Sequence, residues 1–360
     1  MDIQTPQVVS IEPHPTGAYL VLKPLPGQAV SDYQQHAEQL AMMLRVPEVH
    51  FGRSEAPGYV GLTIKVIDPL AAPTRLDHVP IATGWVLELG KCPDGSSATV
   101  PLVNRSGVVC AGQPGSGKTA GMRGALAAFI PVPSVQFAII DGKGGTDWNC
   151  FGPRAFAYTN DDTDLAGVVA LLEGLEDLRR YRSARMLDLR GTSSFWDQAA
   201  SEDLPLVFIV IDECQTFFDA NYHATKEGKA LSVRAKTLAA SLVKKGRSAG
   251  IVAICMTQKP TVDALPSAIR DDSGLRVSYR VSTREAADAV LGDGWASSGE
   301  SPIGQPQGVC VYTSASGRFE RARTPFIPES VIAAAAQRHS GLACDPGVPS
   351  QHLSSPVGDQ

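Results

Sequence analysis

Short, unbroken apolar runs alternate along this chain with longer stretches whose apolar residues recur at helical spacing. Gly107–Ala111, 136–140, 206–211, 251–256 and 276–281 have the first pattern, that of strands covered on both faces. The second pattern fills 118–129, 162–184, 224–246, 263–270 and 284–291, and paired short strands follow at 308–313 and 318–323. Alternation of this kind predicts an α/β fold: a mostly parallel sheet with helices on both faces. Upstream, Ala18–Leu22 and Tyr59–Ile67 read as strands. Between them Tyr33, Ala37, Leu40, Met43 and Leu44 mark a helix over Ser31–Leu44, with Ser31 as its N-cap. These form a small β-α-β unit in an α+β domain, closed by the Pro-rich stretch Asp68–Pro73. Residues 1–15 show little periodicity. The expected organisation is therefore a domain over 1–75, a larger one over 76–330, and over 331–360 a helix end with a Pro-, Gly- and Ser-rich tail expected to be disordered from 340.

Composition narrows the class. In 360 residues, 43% are hydrophobic, yet no apolar run approaches the roughly 20 residues of a membrane span. The N-terminus lacks the charged-then-apolar pattern of a signal peptide, so a soluble, cytoplasmic chain is expected. Seven scattered cysteines with no C-x-x-C pair suit buried thiols in a reducing compartment. The net charge of −5 argues against a uniformly basic coat, but eight basic residues against Glu227 alone give Thr225–Lys259 a net charge of +7. That segment is either a solvated helix face or a surface for phosphates.

The sharpest chemical signal is Gly112-Gln113-Pro114-Gly115-Ser116-Gly117-Lys118-Thr119, which fits G-x-x-x-x-G-K-[ST] between a strand and a helix. Glycines there let successive backbone N–H groups turn toward phosphates, and the helix N-terminus adds positive potential. Lys118 is placed to reach the β- and γ-phosphates, and the Thr119 hydroxyl would ligate Mg²⁺. A second signal is the apolar run Pro205–Ile211 ending in Asp212-Glu213. At the carboxyl edge of a parallel sheet, Asp212 would hold Mg²⁺ through water and Glu213 would polarise the attacking water. ATP with Mg²⁺ is the expected cofactor pair.

Four further segments complete an ordered series: Asp141-Gly142-Lys143-Gly144-Gly145, Gly246-Arg247-Ser248-Ala249-Gly250-Ile251, Thr257-Gln258-Lys259-Pro260-Thr261-Val262-Asp263 and Gly274–Ser282. Over roughly 80–325 the series resembles the motor domain of the FtsK/SpoIIIE DNA translocases, with its D-P-K-G, G/A-R-A-A-G-I, T-Q-R-P-S-V-D and P-T-R-I-A-F-R-V-S stretches. Gly142 stands where the family usually has Pro, and Lys259 where it has Arg. No counterpart of the family's winged-helix module or membrane region is evident. That layout resembles the transfer proteins of actinomycete conjugative plasmids.

The resemblance implies a P-loop NTPase of the RecA-like kind that drives double-stranded DNA, assembled as a homo-oligomeric, hexameric ring, with membrane or transfer-machinery partners holding it at the membrane periphery. Gln258 resembles a sensor of the γ-phosphate. Arg247 and Arg276 are alternative fingers for a neighbouring subunit's transition state. Lys143, Lys226, Lys229, Lys259 and Arg270 are expected to contact DNA phosphates. A chromosome-partitioning motor and a protein-secretion ATPase of the same fold are the rival readings.

Overall fold

The computed structural model describes residues 5–261 and 264–347, and the chain divides into two compact units. The first comprises residues up to Ala72 together with Lys91–Ser97, and the second comprises Pro73–Gly90 and everything from Ala98 onward.

In the first unit, β1 (Gln7–His14), β2 (Gly17–Lys23), β3 (Glu48–Arg53) and β4 (Val60–Lys65) form a four-stranded sheet in the order β1-β2-β4-β3. Every pair is antiparallel, which replaces the expected β-α-β unit. Two strands escape notice in the sequence for a shared reason. β1 is an edge strand without a buried residue, and β3 buries only Val49 and Phe51. The expected single helix is two, α1 (Val30–Gln34) and α2 (Ala37–Leu44), broken at Gln35 and His36. Ala29, not Ser31, occupies the N-cap, where its N–H donates to the Asp32 carboxylate at 2.7 Å. Tyr33, Ala37 and Leu40 pack against Leu22, Val49, Phe51, Val60 and Leu62, so these three mark the face that meets the sheet, whereas Met43 and Leu44 of the same spacing are exposed.

Among the described residues, the second unit is built on a sheet of ten strands: β5 (Val86–Lys91), β6 (Ser97–Pro101), β7 (Gly107–Ala111), β8 (Val135–Asp141), β9 (Ala157–Thr159), β10 (Leu206–Asp212), β11 (Ile251–Thr257), β12 (Leu275–Ser278), β13 (Val309–Thr313) and β14 (Phe319–Arg323). Their order is β6-β5-β14-β13-β12-β7-β11-β10-β8-β9, with parallel pairing from β12 through β9. β7, β8, β10 and β11 are buried at every position, as their unbroken apolar runs require.

Helices cover both faces. Val207, Ile209 and Ile211 of β10 face α4 (Leu165–Arg190), α6 (Lys226–Lys245), α7 (Ser267–Asp272) and α8 (Arg284–Leu291). On the opposite face Phe208 stacks on Phe137, 5.8 Å between ring centres, and meets Phe129 just beyond α3 (Lys118–Ala127). A 3₁₀ turn, Asn149–Arg154, and the helix Glu329–Arg338 complete that layer.

Local chemistry shifts several boundaries. The Asp164 carboxylate accepts the Gly167 N–H at 2.8 Å and delays α4 to Leu165, and Gly191 at φ 68° ends it. Pro266 holds the start of α7 to Ser267, later than the expected 263; residue 263 of that expected helix lies outside the described set. The expected disorder from 340 does not hold at its start. Gln136 donates to the Leu342 carbonyl at 2.8 Å and accepts the Cys344 N–H at 3.0 Å, and within this tail residues 348–360 lie outside the described set.

Candidate nucleotide site

β7 ends at Ala111 and the chain turns through residues 112–117 into α3. Gly115 (φ 72°) and Gly117 (φ 95°) adopt left-handed conformations that side chains resist. At Gly112 a Cβ would lie 2.6 Å from the Ser116 hydroxyl, so that turn also closes only around glycine. The loop, with Lys143, Asp147, Gln258 and Gln307, lines a cleft of about 220 Å³.

The strand order separates β7 from β10 by β11, which sets the two sequence motifs a strand apart and leaves room for a phosphate chain between them. Lys118, buried to 3% exposure, reaches across and donates to Asp212 and, at 3.1 Å, to Glu213. Thr119 Oγ1 donates to Asp212 Oδ2 at 3.1 Å. Burial alone would depress the Lys118 pKa, but the two carboxylates hold it above the ordinary lysine range. For Asp212 burial works upward, and Lys118, with hydrogen bonds from Trp148 and the Glu213 N–H, brings the carboxyl below its usual range.

Glu213 stands at φ 48°, an uncommon conformation for a residue with a side chain. The Asp212 carboxylate accepts its N–H at 2.9 Å and stabilises the turn. Its Oε2 accepts from the Gln215 amide at 2.7 Å and from the Gln258 backbone N–H at 3.1 Å, so β11 and β10 meet at this carboxylate. Trp148, fully buried, donates its indole N–H to Asp212 Oδ2 at 3.0 Å. Sequence reasoning missed Trp148 and Gln215, which carry no motif. Asp141 ends β8 in register with Asp212, and burial raises its carboxyl. Between these strand ends lies Gly142, whose N–H donates to the Asp212 carbonyl at 2.9 Å. A Cβ there would fall 2.7 Å from the Phe217 ring, which explains glycine in a position where proline was the expectation.

The arginines and lysines separate by location. Arg276 donates to the Leu291 carbonyl at 2.7 Å and Arg270 to Asp271 at 2.8 Å and the Asp288 carbonyl at 3.4 Å. Both guanidiniums therefore satisfy the C-terminal end of α8 or its neighbours, which argues against Arg276 as a finger and Arg270 as a DNA contact. Arg247 is exposed and its guanidinium has no partner among the described residues. It opens a 3₁₀ turn, Arg247–Ala249, at the amino edge of β11, opposite the P-loop. Buried Arg182 pins that turn by donating to the Ala249 carbonyl at 3.0 Å and to the Pro205 carbonyl at 2.8 Å. Lys143, expected on DNA, instead pairs with Asp147 at 2.7 Å in the wall of the phosphate cleft. Lys226 and Lys229 are exposed on the first turn of α6, and Lys259 sits beside Tyr222, its Nζ 3.4 Å from the phenol oxygen.

Over 95% of its length the chain is 23% identical to the DNA translocase FtsK of Caulobacter vibrioides, and over 82% it is 27% identical to that of Vibrio vulnificus. The chain spans only 44% and 32% of those two relatives' own lengths. Residues 1–66 match the actinomycete conjugal transfer protein N-terminal domain. The fold is shared with the pCW3 conjugation coupling protein TcpA, in a monomer form with ATPγS, at a TM-score of 0.63, 17% identity and 93% coverage of both chains. It is shared also with the cytoplasmic domain of the Thermomonospora curvata type VII secretion ATPase EccC, at a TM-score of 0.54 and 19% identity over 79% of this chain and 35% of that one. Among the described residues, no helix is long and apolar enough to cross a membrane.

Proposed function

We propose that this chain is the motor of a DNA-transfer system, hydrolysing ATP to move double-stranded DNA. The observation that carries the reading is the buried set Lys118, Thr119, Asp212 and Glu213, gathered at the carboxyl edge of the parallel sheet. Lys118 is held by the two carboxylates, so a triphosphate entering the loop competes for the same ammonium. Once Lys118 engages phosphate, Glu213 Oε1 is released to accept a proton from water, while Gln215 and the Gln258 N–H keep the other oxygen in place. Thr119 Oγ1 and Asp212 Oδ2 are oxygen donors of the kind Mg²⁺ takes, and they would hold it at the cleft; the ion would neutralise charge on the β- and γ-phosphates. Gln258 lines the cleft beside Glu213 and is suited to sense the γ-phosphate.

The similarity of residues 1–66 to conjugal transfer proteins favours DNA transfer over chromosome partitioning or protein secretion. A hexameric ring, recruited to the membrane periphery by partners, follows the same reading. ATP turnover by the full chain, measured with and without duplex DNA, tests it. Turnover should rise several-fold with duplex. Turnover indifferent to DNA would refute the coupling, and no turnover in either case would refute the motor.

A further inference from the structure

Asp141 ends β8 directly beside Asp212, and the parallel register puts both side chains on the same face of the sheet. It is 1% exposed, as deeply buried as Asp212. Its carboxylate Oδ1 accepts the Lys143 N–H at 3.1 Å, a local turn contact. The other oxygen, Oδ2, is buried and has no hydrogen-bond partner among the described residues. A buried acceptor without a donor is costly, and native folds keep one where a water or ligand completes it.

The spacing of this acidic pair is fixed just past the strand ends. The Gly142 N–H donates to the Asp212 carbonyl at 2.9 Å, and Thr216 Oγ1 donates to the Gly142 carbonyl at 2.8 Å. A Cβ on Gly142 would fall 2.9 Å from the Glu213 carbonyl oxygen, so only glycine lets the two strand ends approach so closely. Among the described residues no basic side chain forms an ion pair with Asp141. Lys118 is aimed at Asp212 and Glu213, and Lys143 Nζ turns to Asp147 at 2.7 Å. Lys143 and Asp147 line the phosphate cleft, and Asp141 stands behind that wall.

We infer that Asp141 is an outer acceptor for the Mg²⁺ that Thr119 and Asp212 would hold, its Oδ2 taking a hydrogen bond from a water on the ion. The inference rests on the nucleotide reading above and deepens it by adding a second carboxylate to the metal's surroundings. Mg²⁺ gives up its waters reluctantly and usually keeps several, so acceptors just outside its ligands orient it. A hydrated dication brings the buried pair positive charge and hydrogen-bond donors together. Asp141 is then a positioning residue, acting on the ion through water and not on the reacting phosphate.

Calorimetric titration of the full chain with the slowly hydrolysed analogue ATPγS, once with Mg²⁺ and once with EDTA, tests this on wild type, Asp141→Asn and Asp141→Ala. Wild type should bind in both buffers, and more tightly with Mg²⁺. Asparagine keeps the shape and the Oδ1 acceptor but sets an amide N–H₂ where Oδ2 stands, so it meets a metal-bound water donor to donor. Asp141→Asn should weaken ATPγS about tenfold or more with Mg²⁺ and leave binding in EDTA unchanged, in line with the effect of removing an outer partner of a metal. Asp141→Ala, which removes the carboxyl without adding a donor, should show the same Mg²⁺-specific loss. Equal losses in the two buffers, or no loss in either, would overturn the outer-acceptor role while leaving the nucleotide reading standing. No binding of ATPγS to wild type in either buffer would overturn both.

Discussion

Glu213 ends a strand that has no exposed residue, and its positive φ lets its carboxylate leave the sheet beside Lys118. That placement makes two substitutions diagnostic. Glu213→Gln keeps the side-chain shape and removes the proton acceptor, so ATP binding should persist while turnover falls about a hundredfold or more, read by calorimetry and phosphate release. Lys118→Ala should abolish ATP binding, and it should also destabilise the fold by about 3–5 kcal/mol, because it strands two buried carboxylates. At this scale the loop and the acidic pair are legible from sequence, since each is a contiguous motif. Trp148 and Gln215 are not, because only folding brings them to Asp212 and Glu213. Arg270 and Arg276 show the converse: a positive charge is plain in the sequence, but the helix end that occupies it is not.

Among elements, the strands that read correctly are those buried on both faces, whose composition leaves no alternative. β1 and β3, half-exposed, carry no such signal, and the break between α1 and α2 lies inside an apolar pattern that continues across it. The packing of α4 on α6 is another feature hidden from sequence. Buried Glu176 of α4 accepts from Arg179 at 2.9 and 2.8 Å, from Arg180 at 3.3 Å and from Ser241 of α6 at 3.1 Å. Burial would raise this carboxyl, but the arginine and serine hydrogen bonds outweigh it and hold it below the ordinary glutamate range. Its contribution is therefore present above the usual glutamate pKa of about 4.3 and lost as pH falls through the lowered value. Glu176→Gln should cost about 1–3 kcal/mol at pH 7, and chemical denaturation should show the gap to wild type closing in acid.

On the scale of the whole molecule, the phosphate cleft and Arg247 occupy opposite edges of one sheet, separated by the length of β11, about 20 Å. A single chain cannot bring them together, whereas the proposed head-to-tail ring would have to set one chain's amino edge against the next chain's cleft for Arg247 to act there. Mixing Arg247→Ala with Glu213→Gln, each inactive alone, should restore part of the ATPase activity. Arg276→Ala should show no such rescue, and failure of the first mixture in proven mixed assemblies would exclude Arg247 as the shared residue. Lys226, Lys229 and Lys259 belong to the basic segment of an acidic chain, so DNA affinity should fall with salt, and each alanine variant that removes a contact should flatten the log–log slope by roughly one unit. Filter binding on unrelated duplexes would show it; three unchanged slopes would move the DNA path elsewhere. The position of β11 has one more consequence. Its carboxyl end delivers the Gln258 N–H to Glu213, its amino end follows directly on the Arg247 turn, and all seven residues between are closed in by neighbours. In the ring proposed above, this strand would be the shortest covalent link inside each subunit between its own nucleotide site and the arginine it offers to the next.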